Sequence, residues 1–519
     1  MTELHCQHLK ADIDQYVKTT TSEVVDKEEL KQKMVDKWSI KPSLAEKMVD
    51  NTIINLIAML RINIIIRFLL LVSLLSVAGQ ASGQKLMPEQ TGGVYYAYPV
   101  KSASRIDIPE GMEPFYIFHY GRHGSRWVDS KKRYEWIWRQ FKDESNLTPL
   151  GKEVRGKLRI VCRNARGNAG SLTPLGAQQQ RDIARRMTEN YPEVFSGDDT
   201  WVRARSSTVP RCRASMLAFC GELPCQNFTP ETKGRFMRYL NHESAELKAF
   251  TAHVHQLPTT SPDRFINALF ADSSAVAAPM KLFTEMHTIA SDMQDIPLDI
   301  SLWDLFTEEE RAAIHQANDE RMTICGGSTA LNNGVAARSS INLWENMVEE
   351  ADSIIAAGGH GASLRFGHDT ALQRLLTLLQ LSLPGTGMEQ ILPMAANLQM
   401  VFCRNEEGTV LVAFLHNEQV QHLPITPQYT HFYAWPDVKA YMEQRIHNLE
   451  HQRHLSQLNT MVGTAAANTQ TAGLFGKGSE EHGQTLPAVL VPNGQTFWTP
   501  QTRNTEQKCI APYRSEEHT

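Results

Sequence analysis

Pro114-Phe-Tyr-Ile-Phe-His-Tyr120 runs directly into Gly121-Arg-His-Gly-Ser-Arg126. The first part is a short apolar and aromatic run, which predicts a buried strand that stops at a glycine. The second part brackets one imidazole, that of His123, with the guanidiniums of Arg122 and Arg126. Ligands of open α/β sheets bind beyond the carboxyl ends of the strands, where such a loop would lie. Each guanidinium is a planar fork that matches two oxygens of a tetrahedral anion and keeps its charge at any relevant pH. Gly124 lets the backbone turn sharply and approach a ligand closely. An ordinary charged surface turn is the competing reading, and it leaves the order Arg-His-Gly-Ser-Arg unexplained.

Outward from this loop the chain alternates between strand and helix signals. Leu-Thr-Pro-Leu-Gly occurs at 147–151 and at 172–176, each time with Thr before Pro, as at a capped helix start. The echo ends after five residues, so it is a shared helix start and not an internal repeat. Trp201-Val202 and Ala362–Phe366 read as short strands, each followed by a helix, over Arg211–Gly221 and Thr370–Leu381 respectively. From 222 to 360 the pattern is mostly helical, with a capping box at Thr307-Glu-Glu-Glu310 and an amphipathic stretch from Ser339 to Ala357. Leu398–Arg404 and Thr409–Leu415 flank Asn405-Glu-Glu-Gly408 as a hairpin, and a helix starts at Trp435-Pro436-Asp437. Together these predict an α/β fold: a central, mostly parallel sheet flanked by helices, with a large helical insertion domain. The expected sheet core covers 84–221 and 361–451, and the insertion 222–360.

The ends differ in character. Arg61 and Arg67 precede an apolar run from Phe68 to Ala78, and Ala81 and Gly83 supply small residues for cleavage. Residues 59–83 therefore read as a secretory signal, with a membrane anchor as the competing reading that Arg61, Asn63 and Arg67 oppose. Residues 1–58 are a charged leader of doubtful origin, and Met59 would be a natural start. Beyond 452, Thr, Gln, Asn, Gly and Ala predominate, which predicts a flexible polar tail. Gly92–Ser104 reads as an entry loop. The formal charge of −5 over 519 residues gives no basic excess for nucleic acid. The cysteines show no CxxC pair and no zinc spacing; in an oxidising compartment some should pair, Cys220 and Cys225 being close enough. His253-x-His255 lacks a companion carboxylate or thiolate motif and reads as non-ligating.

The pentapeptide 122–126 resembles the signature of the histidine phosphatase superfamily, and its second arginine resembles the acid phosphatase and phytase branch. That branch implies two more features. Arg205-Ser206-Ser-Thr-Val-Pro-Arg211, followed by Ser215, resembles its second arginine motif and nominates Arg211 as a phosphate clamp. Arg203, Arg205 and Arg213 crowd the same segment, with a basic solvated face as their default. Leu364-Arg-Phe-Gly-His368-Asp369 resembles its late His-Asp pair. The resemblance implies that His123 attacks phosphorus, that Arg122, Arg126, Arg211 and His368 bind the phosphate, and that Asp369 protonates the leaving alcohol.

It further implies an enzyme that hydrolyses small-molecule phosphate monoesters through a phosphohistidine, without cofactor or metal, in the periplasm or secreted. Its segment around 116–126 looks most like bacterial phosphatases related to multiple inositol polyphosphate phosphatases. Those carry His-Ala-Glu where this chain has His368-Asp369, which keeps the acid but puts the subgroup in question. Phytate-like inositol polyphosphates are the expected substrates; general sugar phosphates, broad acid phosphatase activity or a non-catalytic binding role on the same fold are the alternatives. Lys131, Lys132 and Arg133 read first as a solvated helix start and second as contacts to extra phosphates. Leu172–Gly176 with Gln179 resembles a structural helix start of the family.

Overall fold

The computed structural model describes residues 86–472 apart from 104, 197–199, 225–227, 328–329 and 382–391, and the side chains of its last helix only as far as 454. The expected leader and signal, and the tail beyond 472, lie outside the described residues.

Among the described residues, eight strands form one sheet: β1 Glu113–Arg122, β2 Trp201–Ser206, β3 Phe228–Glu231, β4 Gly361–Gly367, β5 Asn397–Arg404, β6 Val410–His416, β7 Gln419–Gln421 and β8 Tyr433–Ala434. Their order is β3-β2-β4-β1-β5-β6-β7, with β8 also paired to β6. The strands β3, β2, β4 and β1 run parallel; β5 to β8 pair antiparallel. The α/β fold expected from the sequence is therefore present, but its sheet is mixed rather than mostly parallel. The reason is local. Asn405 accepts from the Thr409 N–H through its side chain and closes a tight β5–β6 turn, so these strands need no crossover helix.

The longer helices are α1 Lys131–Gln140, α2 Pro149–Asn164, α3 Pro174–Asn190, α4 Pro210–Cys220, α5 Pro279–Asp292, α6 Glu308–Met322, α7 Ile341–Ala356, α8 Asp369–Leu379 and α9 Trp435–Ala472. Thr148 and Thr173 cap α2 and α3 as the sequence predicts, each hydroxyl accepting an N–H three residues on, at 3.0 Å. Thr307 and Glu310 form the predicted capping box of α6. Helix α9 continues past the expected boundary at 452, through an alanine-rich stretch that favours helix. Strand β3 falls inside the segment expected to be mostly helical and lies at the sheet edge beside β2.

Alternation along the strands feeds two cores. Phe118, Tyr120, Met400, Phe402 and Phe414 face α7, α8 and α9. Ile117, Val202, Ala204, Leu364 and Phe366 face α3 and α4. A third, helical core joins residues 127–165 to 265–314, so the helices packed around it come from two stretches of chain. Cys162, Cys212, Cys325 and Cys403 are free thiols; the Cys220–Cys225 pairing lies outside the described residues, since Cys225 is not among them. Among the described residues, no helix is long and apolar enough to cross a membrane.

Candidate active site

The sheet topology brings three strand ends to one place. In register, Arg122 pairs with Gly367, and Ser206 with Phe366. His123, Ser207 and His368 therefore each stand one step beyond a parallel strand, at the carboxyl edge. His123 N–H donates to the Gly367 carbonyl at 3.1 Å, and His123 O accepts from Ala395 N–H at 2.9 Å. The nucleophile candidate is thus pinned between β4 and the segment before β5.

The ring of His123 is 2% exposed. Its Nδ1 lies 2.9 Å from the Gly124 carbonyl oxygen. A carbonyl can only accept, so Nδ1 carries the proton and Nε2 keeps its lone pair. Burial, followed by the charges of Arg211, Arg122, Arg126 and His368, pushes the imidazole well below its usual pKa. The ring is therefore neutral and nucleophilic even in mild acid. His368 stands edge-on to it, the ring centroids 5.8 Å apart. Its Nε2 faces the Ser207 hydroxyl at 3.2 Å and the Cys212 thiol at 3.8 Å.

The cations surround this pair. Arg122 is 1% exposed, donates to the Leu392 carbonyl at 2.8 Å, and reaches Asp369 at 3.1 Å. Arg211 is buried on the first turn of α4, whereas Arg213 is exposed, because two residues further on turns a helix side chain away. Ser215, one turn after Arg211, accepts from Gly124 N–H at 3.1 Å, which ties α4 to the loop. Arg126 packs its guanidinium 5.0 Å over the ring of Tyr95, at the end of a 3-10 helix over Pro88–Tyr95. Part of the expected entry loop is thus ordered, and it forms a wall of the site. All six predicted site residues come together here. Asp369 is 15% exposed in its side chain. Burial by itself would raise its pKa, but Arg122, His368, the Thr370 N–H and Arg126 outweigh that and leave it below the ordinary carboxyl value.

Other candidates fall elsewhere. Arg205 pairs with Glu231 and Glu350, and Arg203 stacks on Trp201. Arg133 is held by Glu285 at 2.6 Å and Lys131 is exposed, in keeping with a helix start. His253 and His255 are both exposed beyond the helix Ala245–Thr251. Among the described residues, no group of three or more His, Cys, Asp or Glu side chains is placed to hold a metal ion.

A clamp behind the loop was not foreseen. Gln179 on α3 accepts from Ser125 N–H at 2.9 Å and donates through Nε2 to Ser125 Oγ at 2.8 Å. With its lone pair so used, the hydroxyl proton of Ser125 points to Asp295, at 2.5 Å. Gly124 and Gly176 make this packing possible: a Cβ on Gly124 would lie 2.2 Å from the Gly176 carbonyl oxygen, and one on Gly176 would lie 2.1 Å from that of Ser125. Leu172–Gly176 is therefore structural, as read from the sequence, and what it supports is the candidate loop itself. Asp292, at the end of α5, accepts from Val128 N–H and Tyr134 hydroxyl, both at 3.1 Å. Nothing in the sequence marked Asp292 or Asp295, since carboxylates near a helix end ordinarily face water.

Burial raises Asp292 to about 7, against the pull of Arg126, and raises Asp295 well above its usual value. The stability consequence has a definite sign. Between about pH 4 and 7 the native chain keeps a proton on Asp292 that the unfolded chain releases, so stability falls as pH rises, by about 4 kcal/mol at most. Urea unfolding at pH 4.5 and 7.5 should show Asp292→Asn gaining stability relative to the unaltered protein at the higher pH. Parallel behaviour of the two proteins would sink this account.

No family model matches the chain, and no curated protein matches it in sequence. Solved structures do match in fold. The multiple inositol polyphosphate phosphatase of Bifidobacterium longum, in complex with inositol hexasulfate, aligns with a TM-score of 0.55 at 16% identity, over 68% of this chain and 97% of that one. Its complex with phosphate aligns at 0.52 and 17% identity, over 67% and 97%. The phytase from D. castellii aligns at 0.53 and 12% identity, over 71% and 88%.

Proposed function

We propose that this chain, which shares the fold of histidine-type inositol polyphosphate phosphatases and phytases, is itself a histidine-type phosphatase acting on small phosphate monoesters, with inositol polyphosphates such as phytate as its substrates. The observation that carries the reading is the His123 ring, its Nδ1 turned to the Gly124 carbonyl and its Nε2 left free, surrounded by Arg122, Arg126, Arg211 and His368, whose charges add to burial in favouring the neutral form.

In the first step Nε2 attacks phosphorus in line, and an N–P bond forms as the bond to the ester oxygen breaks. The arginines and His368 bear the charge on the equatorial oxygens, in a buried site where such charges act strongly. Asp369 gives its proton to the departing oxygen, releasing an alcohol. In the second step water attacks phosphorus, its proton passes to the Asp369 carboxylate, and the N–P bond breaks, restoring His123 and yielding phosphate. Asp369 needs help to be protonated, because the charge of Arg122 favours its carboxylate form. A bound phosphate dianion competes for Arg122 and raises Asp369 when the acid is needed. In this scheme the guanidiniums supply the positive charge at phosphorus.

Because His123 must be neutral and Asp369 protonated, and both groups titrate below their ordinary values of roughly 6.5 and 3.9, turnover should be greatest in acid. The test is kcat/KM for p-nitrophenyl phosphate across pH 3–9, with inositol hexakisphosphate as the companion substrate. An optimum below about pH 6 is expected; no turnover, or an optimum in alkali, overturns the proposal. Export to the periplasm or the medium is part of the same reading and rests on residues 59–83 alone; N-terminal sequencing of the mature protein checks it.

A further inference from the structure

We propose a second anion-binding site, for a phosphate group, in a cavity of about 300 Å3 lined by Arg205, Arg235, Phe236, Arg238, Tyr239 and Asn346. Its size falls at the low end of small-molecule pockets. None of the residues gathered around His123 lines it, so it is separate from the candidate catalytic centre. It shares strand β2 with that centre, since Arg205 lies two residues before Ser207, whose hydroxyl faces His368. The helix Met237–Leu240, which supplies Arg238 and Tyr239, also touches the strand ends: Tyr120 donates to the Leu240 carbonyl at 2.6 Å.

The polar groups of the wall present donors. Arg365 can only donate, so the Asn346 oxygen that it meets at 2.7 Å is the acceptor, which leaves the Asn346 NH2 as the donor. Tyr239 accepts from Arg238, which frees the phenolic proton. The guanidiniums of Arg235 and Arg238 complete the set, while Arg205 gives its Nε and Nη1 donors to Glu231 and Glu350. A cavity of this composition suits a ligand made of acceptors.

Charge points the same way. The guanidiniums of Arg205 and Arg235 lie 4.7 and 5.0 Å from the centroid of one ring, that of Phe236, so two like charges share a small space. The nearby carboxylates are already engaged. Glu231 takes Lys233 and Arg205, and Glu350 takes Arg203, Arg205 and Arg365. Arg235 and Arg238 have no carboxylate partner among the described residues. A phosphate dianion would answer both charges through forked hydrogen bonds.

Two sources carry this chemistry: another phosphate of a polyphosphorylated substrate, or a free phosphate ion. Binding of radiolabelled orthophosphate to the full chain, by equilibrium dialysis, tests the site itself. The double variant Arg235→Ala/Arg238→Ala should bind one phosphate fewer per chain than the unaltered protein. Asn346→Asp keeps the oxygen that Arg365 uses but turns the donor into a carboxylate, and should weaken the same phosphate by about tenfold or more. An unchanged count in the double variant together with unchanged affinity in Asn346→Asp overturns the proposal. This count stands apart from the phosphatase reading: if the His123 centre bound no phosphate, the loss would still be seen, from one to none.

The source rests on that reading and is decided by kinetics. In the double variant, a rise of about tenfold in KM for inositol hexakisphosphate, with KM for p-nitrophenyl phosphate moving less than about twofold, assigns the cavity to a second phosphate of the substrate. Equal shifts for both substrates assign it to a free phosphate.

Discussion

His123→Ala lowers kcat for p-nitrophenyl phosphate by about 10^4-fold or more, the scale on which a lost nucleophile is felt. The substitution leaves Arg122, Arg126, Arg211 and His368 in place, so phosphate can still bind, but water must then displace the phenolate directly, in one step and without the imidazole nucleophile. KM should therefore change far less than kcat. The covalent route has a second signature. Quenching the unaltered protein in alkali during turnover of a labelled ester should leave phosphate on the chain, and acid should release it, because an N–P bond survives base and not acid. The tryptic peptide carrying the label should contain His123. Turnover by His123→Ala within about tenfold of the unaltered protein, or label on another residue, would move the nucleophile elsewhere. The ring is buried and its loss leaves a small void, so a denaturation curve should accompany the kinetics.

Asp369→Asn separates the acid from the clamp. The amide keeps the shape of the side chain but cannot deliver a proton at mild pH. On an alkyl phosphate, whose alkoxide is too basic to leave unaided, the rate should fall about 10^2- to 10^4-fold. On p-nitrophenyl phosphate, whose phenolate leaves readily as an anion, the first step should fall much less. The same change removes the ion pair with Arg122, which donates to Asp369 across 3.1 Å. Arg122 is then freer for phosphate, and KM should hold or decrease. Equal loss of the first step on both esters would show that Asp369 acts there by holding Arg122 and not by donating a proton.

These expectations stand on residues of unequal legibility. Arg122, His123 and Arg126 could be found because one strand and one loop carry them in sequence order. His368 and Asp369 were legible for the same reason, at the end of β4. Arg211 was nominated among four crowded arginines, and helix geometry then separated it: Arg211 and Ser215 share a face of α4, while Arg213 turns to water and Arg205 is consumed by Glu231 and Glu350. Neither Asp292 nor Asp295 could be read. Each looks like an ordinary acidic residue near a helix end, and only the packing of α5 behind the loop makes it a buried partner of Ser125 or Tyr134.

What the sequence by itself determined is local: strands that end on glycine and arginine, threonine caps, the alternation of apolar residues, and a histidine between guanidiniums. Hydrogen bonding, side-chain periodicity and backbone freedom act within a few residues, so they leave a readable trace. What only the tertiary structure decided is which strand lies beside which, and hence that His123, Ser207 and His368 meet at one sheet edge. It also decided that the sheet is mixed, that His123 is left neutral with Nε2 free, and that two aspartates, one ending a distant helix and one in the turn after it, hold the loop. Those outcomes depend on burial and on charges brought together from far along the chain, and neither can be computed from neighbours in sequence.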